Sequence, residues 1–313
     1  MKNVILIGIL IALIVTGTGP ELSAQVSRLE KKIDSLFIIA SSGEVTHRDQ
    51  NEPAMDSIAA LGQPAVPFLI EKFSTKSARE RWTVIWILQR IGSPAVPDLV
   101  RALDRADALI VQRVCWALGD IKDSAAVEPL MNIANHADWQ VRGQSVRALG
   151  RIRHSLATPV IMTALEDTVG QVRKSAVVAA RQVGVAESIP RLVQMLSDSF
   201  YGARLEAVES LMALDTPQVI AAIADVLDAG PYQAGNLGCD VLGRLATDAA
   251  VDILAEQVRA DDPVRRGHAA VALLTADPED NCGYHRFITV DDTDRILQLK
   301  LESVRAMQDD EQR

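Results

Sequence analysis

The stretch Ala65-Val66-Pro67-Phe68-Leu69 has two near-copies further along the chain, Ala95-Val96-Pro97-Asp98-Leu99 and Ala126-Val127-Glu128-Pro129-Leu130. Their prolines begin a series that continues at Pro159 and Pro190, with successive spacings of 30, 32, 30 and 31 residues. Self-similarity with a period of about 20–50 residues is typical of a solenoid, in which each repeat buries its apolar face against its neighbours. The sequence therefore predicts an array of similar units.

Each period contains two segments with helical periodicity, a shorter helix A and a longer helix B. A proline in the first turn of helix A costs no hydrogen bond and presets the backbone. Gly62, Gly92 and Gly184 follow helix B and suit a left-handed cap, while Asp138 and Asp262 precede helix B and suit an N-cap. Seven pairs are predicted: 65–73 with 78–91, 95–103 with 107–121, 126–134 with 138–152, 157–166 with 169–183, 187–197 with 200–214, 217–228 with 232–245, and 249–259 with 263–276.

Helical segments also flank the array. Segments 26–40 and 54–61 predict an N-terminal helical cap, and an amphipathic segment at 291–307 predicts a capping helix behind a breaker-rich loop. We therefore expect an all-α chain with four parts: a signal peptide at 1–24, the cap at 25–62, the repeats at 63–276, and a loop with its capping helix at 277–313.

The N-terminus has the pattern of an export signal. Lys2 precedes an apolar run of 12 residues, 4–15, and Leu22-Ser23-Ala24 offers a small-residue cleavage site before Gln25. Twelve residues are too few to cross a bilayer, which takes about 20. We predict cleavage after Ala24 and a periplasmic or secreted protein with no stable membrane span; the alternative is an anchor formed by an uncleaved signal.

The net charge limits the class of partner, and the number of cysteines limits the possible disulfide bonds. A net charge of −9 disfavours nucleic acid as the main partner, because binding to its backbone needs a basic stripe. Three cysteines, Cys115, Cys239 and Cys282, leave at least one unpaired. Buried free thiols are expected at Cys115 and Cys239, although a bridge between Cys239 and Cys282 stays open.

The segment Val141-Arg142-Gly143-Gln144-Ser145-Val146-Arg147-Ala148-Leu149-Gly150-Arg151-Ile152 resembles HEAT repeats, specifically the short phycobilisome-lyase HEAT-like type. The resemblance covers about residues 54–276. It implies a right-handed α-α superhelix whose B helices line a concave face, and it implies a non-catalytic scaffold that binds a protein or peptide. The oligomeric state and the partner's identity do not follow from it.

An enzyme, or an accessory subunit such as a lyase subunit, is the alternative function. Among enzymes with HEAT-like repeats, deoxyhypusine hydroxylase holds iron through His-Glu dipeptides, and none of the five histidines in this chain is followed by Glu. No spacing indicates a catalytic residue, a cofactor or a metal site, so we predict a binding protein rather than an enzyme.

One arginine recurs near the start of most B helices, a set that we call the Arg series. Its members are Arg81, Arg142, Arg173, Arg204 and Arg266. The resemblance implies that such arginines pair with acids of neighbouring units in a structural ladder; ligand binding is the alternative.

Two further positions of helix B vary widely in polarity, which is typical of exposed sites. They place three aromatic residues, the Trp cluster, on one face of the first repeats: Trp82, Trp86 and Trp116. Four basic residues are predicted on or near the same face: Arg90, Arg113, Arg147 and Arg151. Trp and Arg are enriched at binding hot spots, so this face is the predicted site for the partner. The rival interpretation is that the tryptophans pack beneath the N-terminal helix at 26–40.

Overall fold

The computed structural model describes residues 19–214, 217–229 and 232–276. These residues form sixteen α-helices and no β-strand, in two compact units that divide between Ala164 and Leu165. None of the described helices combines the length and the apolar character that crossing a membrane requires. The all-α fold built from repeated helix pairs is thus confirmed.

Two of the predicted elements fall outside the described residues. They are the apolar run of the signal peptide, at 4–15, and the C-terminal capping helix, at 291–307. Cys282 lies outside as well.

The first unit contains nine helices: α1 (Gly19–Ala40), α2 (Asn51–Ala59), α3 (Val66–Lys72), α4 (Ala78–Ile91), α5 (Val96–Ala102), α6 (Ala108–Ile121), α7 (Val127–Ile133), α8 (Trp139–Ile152) and α9 (Thr158–Ala164). Helix α1 packs on α2, and α2 packs on α4. Each A helix packs on the B helix that follows it, and the B helices α4, α6 and α8 pack on one another in order. This nearest-neighbour packing is the packing of a repeat protein.

The second unit contains seven helices: α10 (Gly170–Val183), α11 (Ile189–Gln194), α12 (Tyr201–Leu214), α13 (Pro217–Ala229), α14 (Tyr232–Leu245), α15 (Asp248–Gln257) and α16 (Pro263–Ala276). Its B helices α10, α12, α14 and α16 again pack on their neighbours in sequence order.

The predicted helix boundaries of all seven pairs agree with the structure to within three residues. Asp138 caps α8, because its carboxylate accepts a hydrogen bond from the Gln140 backbone N–H at 2.7 Å. Helix α1 begins seven residues earlier than predicted, at Gly19. Pro20 and Glu21 in its first turn suit a helix start.

The core consists of columns of equivalent residues. Leu69, Leu99 and Leu130 form the column of the A helices in the first unit, and all three are fully buried. The B helices contribute further columns of fully buried leucines, Leu88, Leu118 and Leu149 in the first unit and Leu211, Leu242 and Leu273 in the second. Each buried leucine stabilises the fold by about 1.5–3 kcal/mol relative to an exposed one, so neighbouring repeats within a unit depend on one another to cover these columns.

The turns after the B helices use positive φ angles in two different ways. Gly184 has the predicted left-handed conformation, with φ 78° and ψ 42°. Gly92 has φ 71° but ψ −143°, and Gly62 is similar, so the predicted left-handed cap was wrong at these two positions. The physical reason is the position of the glycine: Gly62 and Gly92 directly precede a 3₁₀ turn, whereas Val185 lies between Gly184 and the next 3₁₀ turn. Only glycine adopts this second conformation readily.

Lys122 takes the left-handed position after α6, with φ 61° and ψ 31°. Replacing it with glycine should stabilise the protein by about 0.5–1 kcal/mol, because a side chain in this region is strained by about 1–2 kcal/mol, which the greater freedom of unfolded glycine partly offsets. The urea midpoint of unfolding, followed by far-UV circular dichroism, measures this change. Asp123→Gly is the control and should be destabilising, since Asp123 accepts a hydrogen bond from the Ala125 N–H. An unchanged or lower midpoint for Lys122→Gly would contradict the prediction.

Candidate functional site

The three tryptophans of the Trp cluster are in mutual contact on the surface of the first unit. The ring centroids of Trp82 and Trp86, both on α4, lie 5.9 Å apart. Trp82 also meets Trp116 of α6 edge to face, with centroids 4.6 Å apart. Trp82 and Trp86 remain 42% and 44% exposed, so α4 presents two adjacent aromatic rings to the surroundings.

The spacing of the B helices explains why the rings fit between α4 and α6. Gly119 of α6 lies so close to α8 that an added Cβ would be 2.8 Å from the Ala148 Cα. Gln89 takes the equivalent position on α4, and α4 approaches α6 less closely than α6 approaches α8. The edge-to-face contact of Trp82 with Trp116 connects α4 to α6.

The N-terminal helix does not bury the Trp cluster, which was the rival interpretation of these residues. Helix α1 packs on α2, and the exposed fractions of Trp82 and Trp86 are those of surface side chains. Beside Trp86, a shallow cavity of about 300 Å³ is lined by Glu52, Gln89 and Arg90 as well.

The predicted basic residues of this face are mostly engaged within the protein. Arg90 forms ion pairs with Glu52 and Asp56 of α2, the latter at 3.0 Å. Arg151 pairs with Asp120.

Arg113 and Arg147 complete the predicted basic set. The Arg113 guanidinium donates to the backbone carbonyls of Phe73 and Thr75, in the turn between α3 and α4. Arg147 is exposed. Of the four predicted arginines, three therefore hold neighbouring elements of the first unit together.

The Arg series shares one local contact. Each guanidinium donates to a backbone carbonyl five or six residues before it, in the turn that precedes its own B helix. The bonds run from Arg81 to Lys76, from Arg142 to His136 and Ala137, from Arg173 to Asp167 and Thr168, from Arg204 to Asp198, and from Arg266 to Ala260 and Asp261. The shared position thus closes the turn between helices A and B.

Arg173 also pairs with an acid of the next repeat, the contact expected of a ladder. Its guanidinium donates two hydrogen bonds to the Asp198 carboxylate, at 2.6 and 2.7 Å, and both side chains are largely buried. Burial by itself would raise the pKa of Asp198, but the hydrogen bonds from Arg173 and from the Phe200 N–H lower it overall. The same hydrogen bond raises the pKa of Arg173.

Gly235 replaces the series arginine in α14, and a neighbouring repeat supplies the missing group. Arg265 of α16 donates to the Leu227 carbonyl near the end of α13. Its guanidinium lies over Gly235, where an added Cβ would be 3.4 Å from Nη2. The glycine leaves the room that this longer-range contact needs.

A second cavity of about 300 Å³, the arginine pocket, has Trp116 in its wall. Its walls come from three B helices, α4, α6 and α8: Arg81, Leu109, Gln112, Arg113, Trp116 and Gln144. Burial and the nearby charge of Arg81 lower the pKa of Arg113, and Asp107 partly offsets them. The Trp116 indole N–H is buried and has no hydrogen-bond partner among the described residues.

Three acidic residues lie on B helices of the second unit, Glu206, Glu209 and Asp240. Lys174 and Arg181 lie 3.5 Å from Glu206, and Arg244 lies 3.1 Å from Glu209. The His268 imidazole lies 3.6 Å from Asp240. Glu206 and Glu209 are therefore paired with basic groups of the protein itself.

The surroundings of two cysteines and two histidines indicate structural roles for these residues. Within the described part of the chain, no three His, Cys, Asp or Glu side chains are grouped to hold a metal ion. Cys115 and Cys239 are buried free thiols, and burial raises the pKa of each to about 12. His136 and His154 each accept a backbone N–H through Nδ1 in a turn.

Some residues around the candidate site were not predicted from the sequence. Glu52 and Asp56 bind Arg90 from α2, and Gln144 faces Arg81 and Arg113 across the arginine pocket. The repeat alignment puts Gln112 at the same variable position of helix B as Trp82. It assigned Arg81 only to the Arg series, because an alignment of single helices does not show what two neighbouring helices enclose.

Comparisons with known proteins agree with the repeat packing. Residues 99–181 and 164–234 match the family model for HEAT repeats. A search of curated protein sequences gave no match.

Several solved structures are similar in fold. YibA of Escherichia coli is 15% identical, with a TM-score of 0.50 over 81% of this chain and 96% of that one. Human deoxyhypusine hydroxylase, solved with glycerol, is 20% identical, with a TM-score of 0.36 over 80% and 98%. The CpcE–CpcF complex of phycocyanin lyase from Nostoc is 19% identical, with a TM-score of 0.41 over 76% and 94%. At these identities the similarity concerns the fold and not an activity.

Proposed function

Because residues 99–234 match the family model for HEAT repeats, we propose that the protein is a non-catalytic scaffold that binds a polypeptide partner on the face formed by its B helices. The observation that carries this proposal is the pair of exposed rings of Trp82 and Trp86. Large aromatic side chains at the centre of an exposed patch are the usual anchors of protein interfaces.

The fold and the composition support a binding role. HEAT repeats stack into extended surfaces that suit long polypeptide ligands. The two rings stand side by side on one helix, and Trp116 supports them from the neighbouring helix. A partner side chain that covered both rings would remove their remaining exposed area from water, at about 25 cal/mol per Å².

We also propose that the protein is exported to the bacterial envelope or secreted. The apolar run at 4–15 and the small residues before Gln25 support this proposal. Cleavage after Ala24 would leave residues 25–40 as the first helix of the mature protein. Mass spectrometry of the protein recovered from the periplasm or medium of producing cells should then give an N-terminus at Gln25; recovery of the uncleaved chain in the membrane fraction would contradict cleavage.

The binding proposal predicts that truncating Trp86 weakens partner capture. Tagged protein is exposed to native envelope extract, captured proteins are identified by mass spectrometry, and the affinity is remeasured with each purified partner. Trp86→Ala should weaken binding at least about tenfold, since a hot-spot residue contributes about 2 kcal/mol or more.

Trp139→Ala is the matched control for this experiment. Trp139 is 40% exposed and opens α8, outside the Trp cluster, so its loss should leave the affinity unchanged. Equal affinities for the Trp86→Ala variant and the unaltered protein would reject the Trp cluster as the binding face. Absence of any captured protein would reject the scaffold proposal.

A further inference from the structure

The arginine pocket brings together two cations that the Arg series and the turn contacts do not fully use. Arg81 donates through Nη1 to the Lys76 carbonyl, and Arg113 donates through Nη1 to the carbonyls of Phe73 and Thr75. The other N–H groups of both guanidinium groups have no hydrogen-bond partner among the described residues. A guanidinium has five donors, so each arginine keeps donors for a ligand.

The lining of this pocket contains two arginines and no acid. Burial and the charge of Arg81 lower the pKa of Arg113. Asp107, which partly offsets this effect, lies outside the lining and caps α6 by accepting the backbone N–H groups of Leu109 and Ile110. Glu80 also lies outside the lining, where its carboxylate accepts the Thr75 hydroxyl. The charged side chains that line the pocket are therefore both cationic.

The remaining walls suit a small group with oxygen acceptors and an apolar stem. Gln112 and Gln144 offer amide N–H donors, and Leu109 offers apolar surface. Trp116 lines the pocket, and its indole N–H is buried without a partner among the described residues, which costs about 1–3 kcal/mol. A volume of about 300 Å³ is at the lower end of ligand pockets and takes one side chain rather than a nucleotide.

The position of the pocket connects it to the Trp cluster. Trp116 forms one wall of the pocket and also contacts Trp82, whose ring meets that of Trp86. A polypeptide lying across the exposed rings would thus have a cationic pocket next to its path. Two arginines with free donors recognise a carboxylate through charge-assisted hydrogen bonds.

We propose that the arginine pocket binds the carboxylate of an acidic side chain in the partner polypeptide, beside an apolar residue that covers Trp82 and Trp86. This inference rests on the proposed binding function and adds the chemistry of the partner: an acidic residue next to a large apolar one.

The test uses small probes, so that it does not depend on finding the partner. Protein produced from the full chain and labelled with ¹⁵N shows one indole N–H signal for each of its four tryptophans. Trp116→Phe assigns the signal of Trp116. The protein is titrated with N-acetylglutamate α-methylamide and, in parallel, with the neutral isostere N-acetylglutamine α-methylamide. The Trp116 signal should shift saturably with the acidic probe, and binding of the neutral probe should be at least about tenfold weaker.

Two variants locate the effect. Arg81→Gln should abolish the shift, whereas Arg101→Gln, which removes an arginine paired with Asp98 outside the pocket, should retain it. Equal shifts with both probes, or no saturable shift in the unaltered protein, would overturn the proposal. The comparison of the two probes uses the unaltered protein. It can therefore overturn the proposal even if the Arg81→Gln variant does not fold.

Inorganic phosphate is titrated as a third probe. Binding of phosphate more than about tenfold tighter than the glutamyl probe would overturn the assignment to a carboxylate and indicate a site for small inorganic anions. A failed titration would leave the capture experiment with Trp86→Ala intact, so the failure of this inference and the failure of the scaffold proposal give different results.

Discussion

Replacing Asp198 with alanine should lower the free energy of unfolding by about 3–5 kcal/mol, the range for removing one partner of a buried ion pair. Arg173 would lose both of its carboxylate hydrogen bonds in a site where it is 13% exposed, and the Phe200 N–H would lose its acceptor. The expected fall in the thermal midpoint is roughly 6–20 °C, measured by far-UV circular dichroism.

Glu209→Ala provides the matched control for the ion pair. Glu209 and Arg244 are 45% and 47% exposed, and a pair in water contributes less than about 1 kcal/mol. Equal losses of stability in the Asp198 and Glu209 variants would show that burial of the Arg173 pair adds nothing.

The same variant tests the pH dependence of stability. The folded protein holds the pKa of Asp198 below its ordinary value, which is about 3.9 in an unfolded chain. A lowered carboxyl pKa stabilises the fold above the unfolded value, and this contribution is lost as the pH falls through the folded pKa. The stability difference between the unaltered protein and Asp198→Ala should therefore narrow between pH 5 and about pH 2. A constant difference would contradict the role of the carboxylate charge.

Replacing Gly119 with leucine should lower the free energy of unfolding by about 3 kcal/mol or more, and the thermal midpoint by roughly 6–12 °C. A Cβ at this position would be 2.8 Å from the Cα of Ala148, so the clash is with the backbone of α8 and not with a mobile side chain. Helices α6 and α8 would have to separate, which would uncover the leucine column between them. Circular dichroism and urea unfolding of the variant measure the effect.

Gln89→Leu is the control for the close approach of these helices. Gln89 occupies the position of Gly119 on α4, where it is exposed beside Trp86. The same new side chain should change stability there by less than about 0.5 kcal/mol. If both leucine variants were equally stable, the contact of Gly119 with Ala148 would not limit the distance between α6 and α8.

Much of the fold was predictable because the same local sequence signals recur in several repeats. Proline early in helix A, an apolar stripe in helix B and a turn residue after it specify each pair without long-range information. The detailed turn geometry was not predictable at Gly62 and Gly92. At both positions the glycine directly precedes a 3₁₀ turn, which changes ψ without changing the residue type.

The site was less predictable for a physical reason that Arg113 and Arg90 illustrate. The repeat pattern determines the backbone position of an arginine. Its long side chain then extends toward the hydrogen-bond acceptors that neighbouring elements leave unsatisfied. For Arg113 these are carbonyls of the preceding repeat, and for Arg90 they are the carboxylates of α2. The Trp cluster was easier to locate, because rigid rings on adjacent turns and adjacent helices have few alternative positions.

The contact of Arg265 with the Leu227 carbonyl limits how the chain can be shortened. In the repeats that contain a member of the Arg series, that arginine donates to the turn between the two helices of its own repeat. Removing such a repeat would remove the turn and its arginine together. In the pair α13–α14 the series position is Gly235, and the arginine that donates to the end of α13 is Arg265 of α16. A truncation after α14 would remove Arg265 and so leave the Leu227 carbonyl without this donor, in addition to exposing the new terminus.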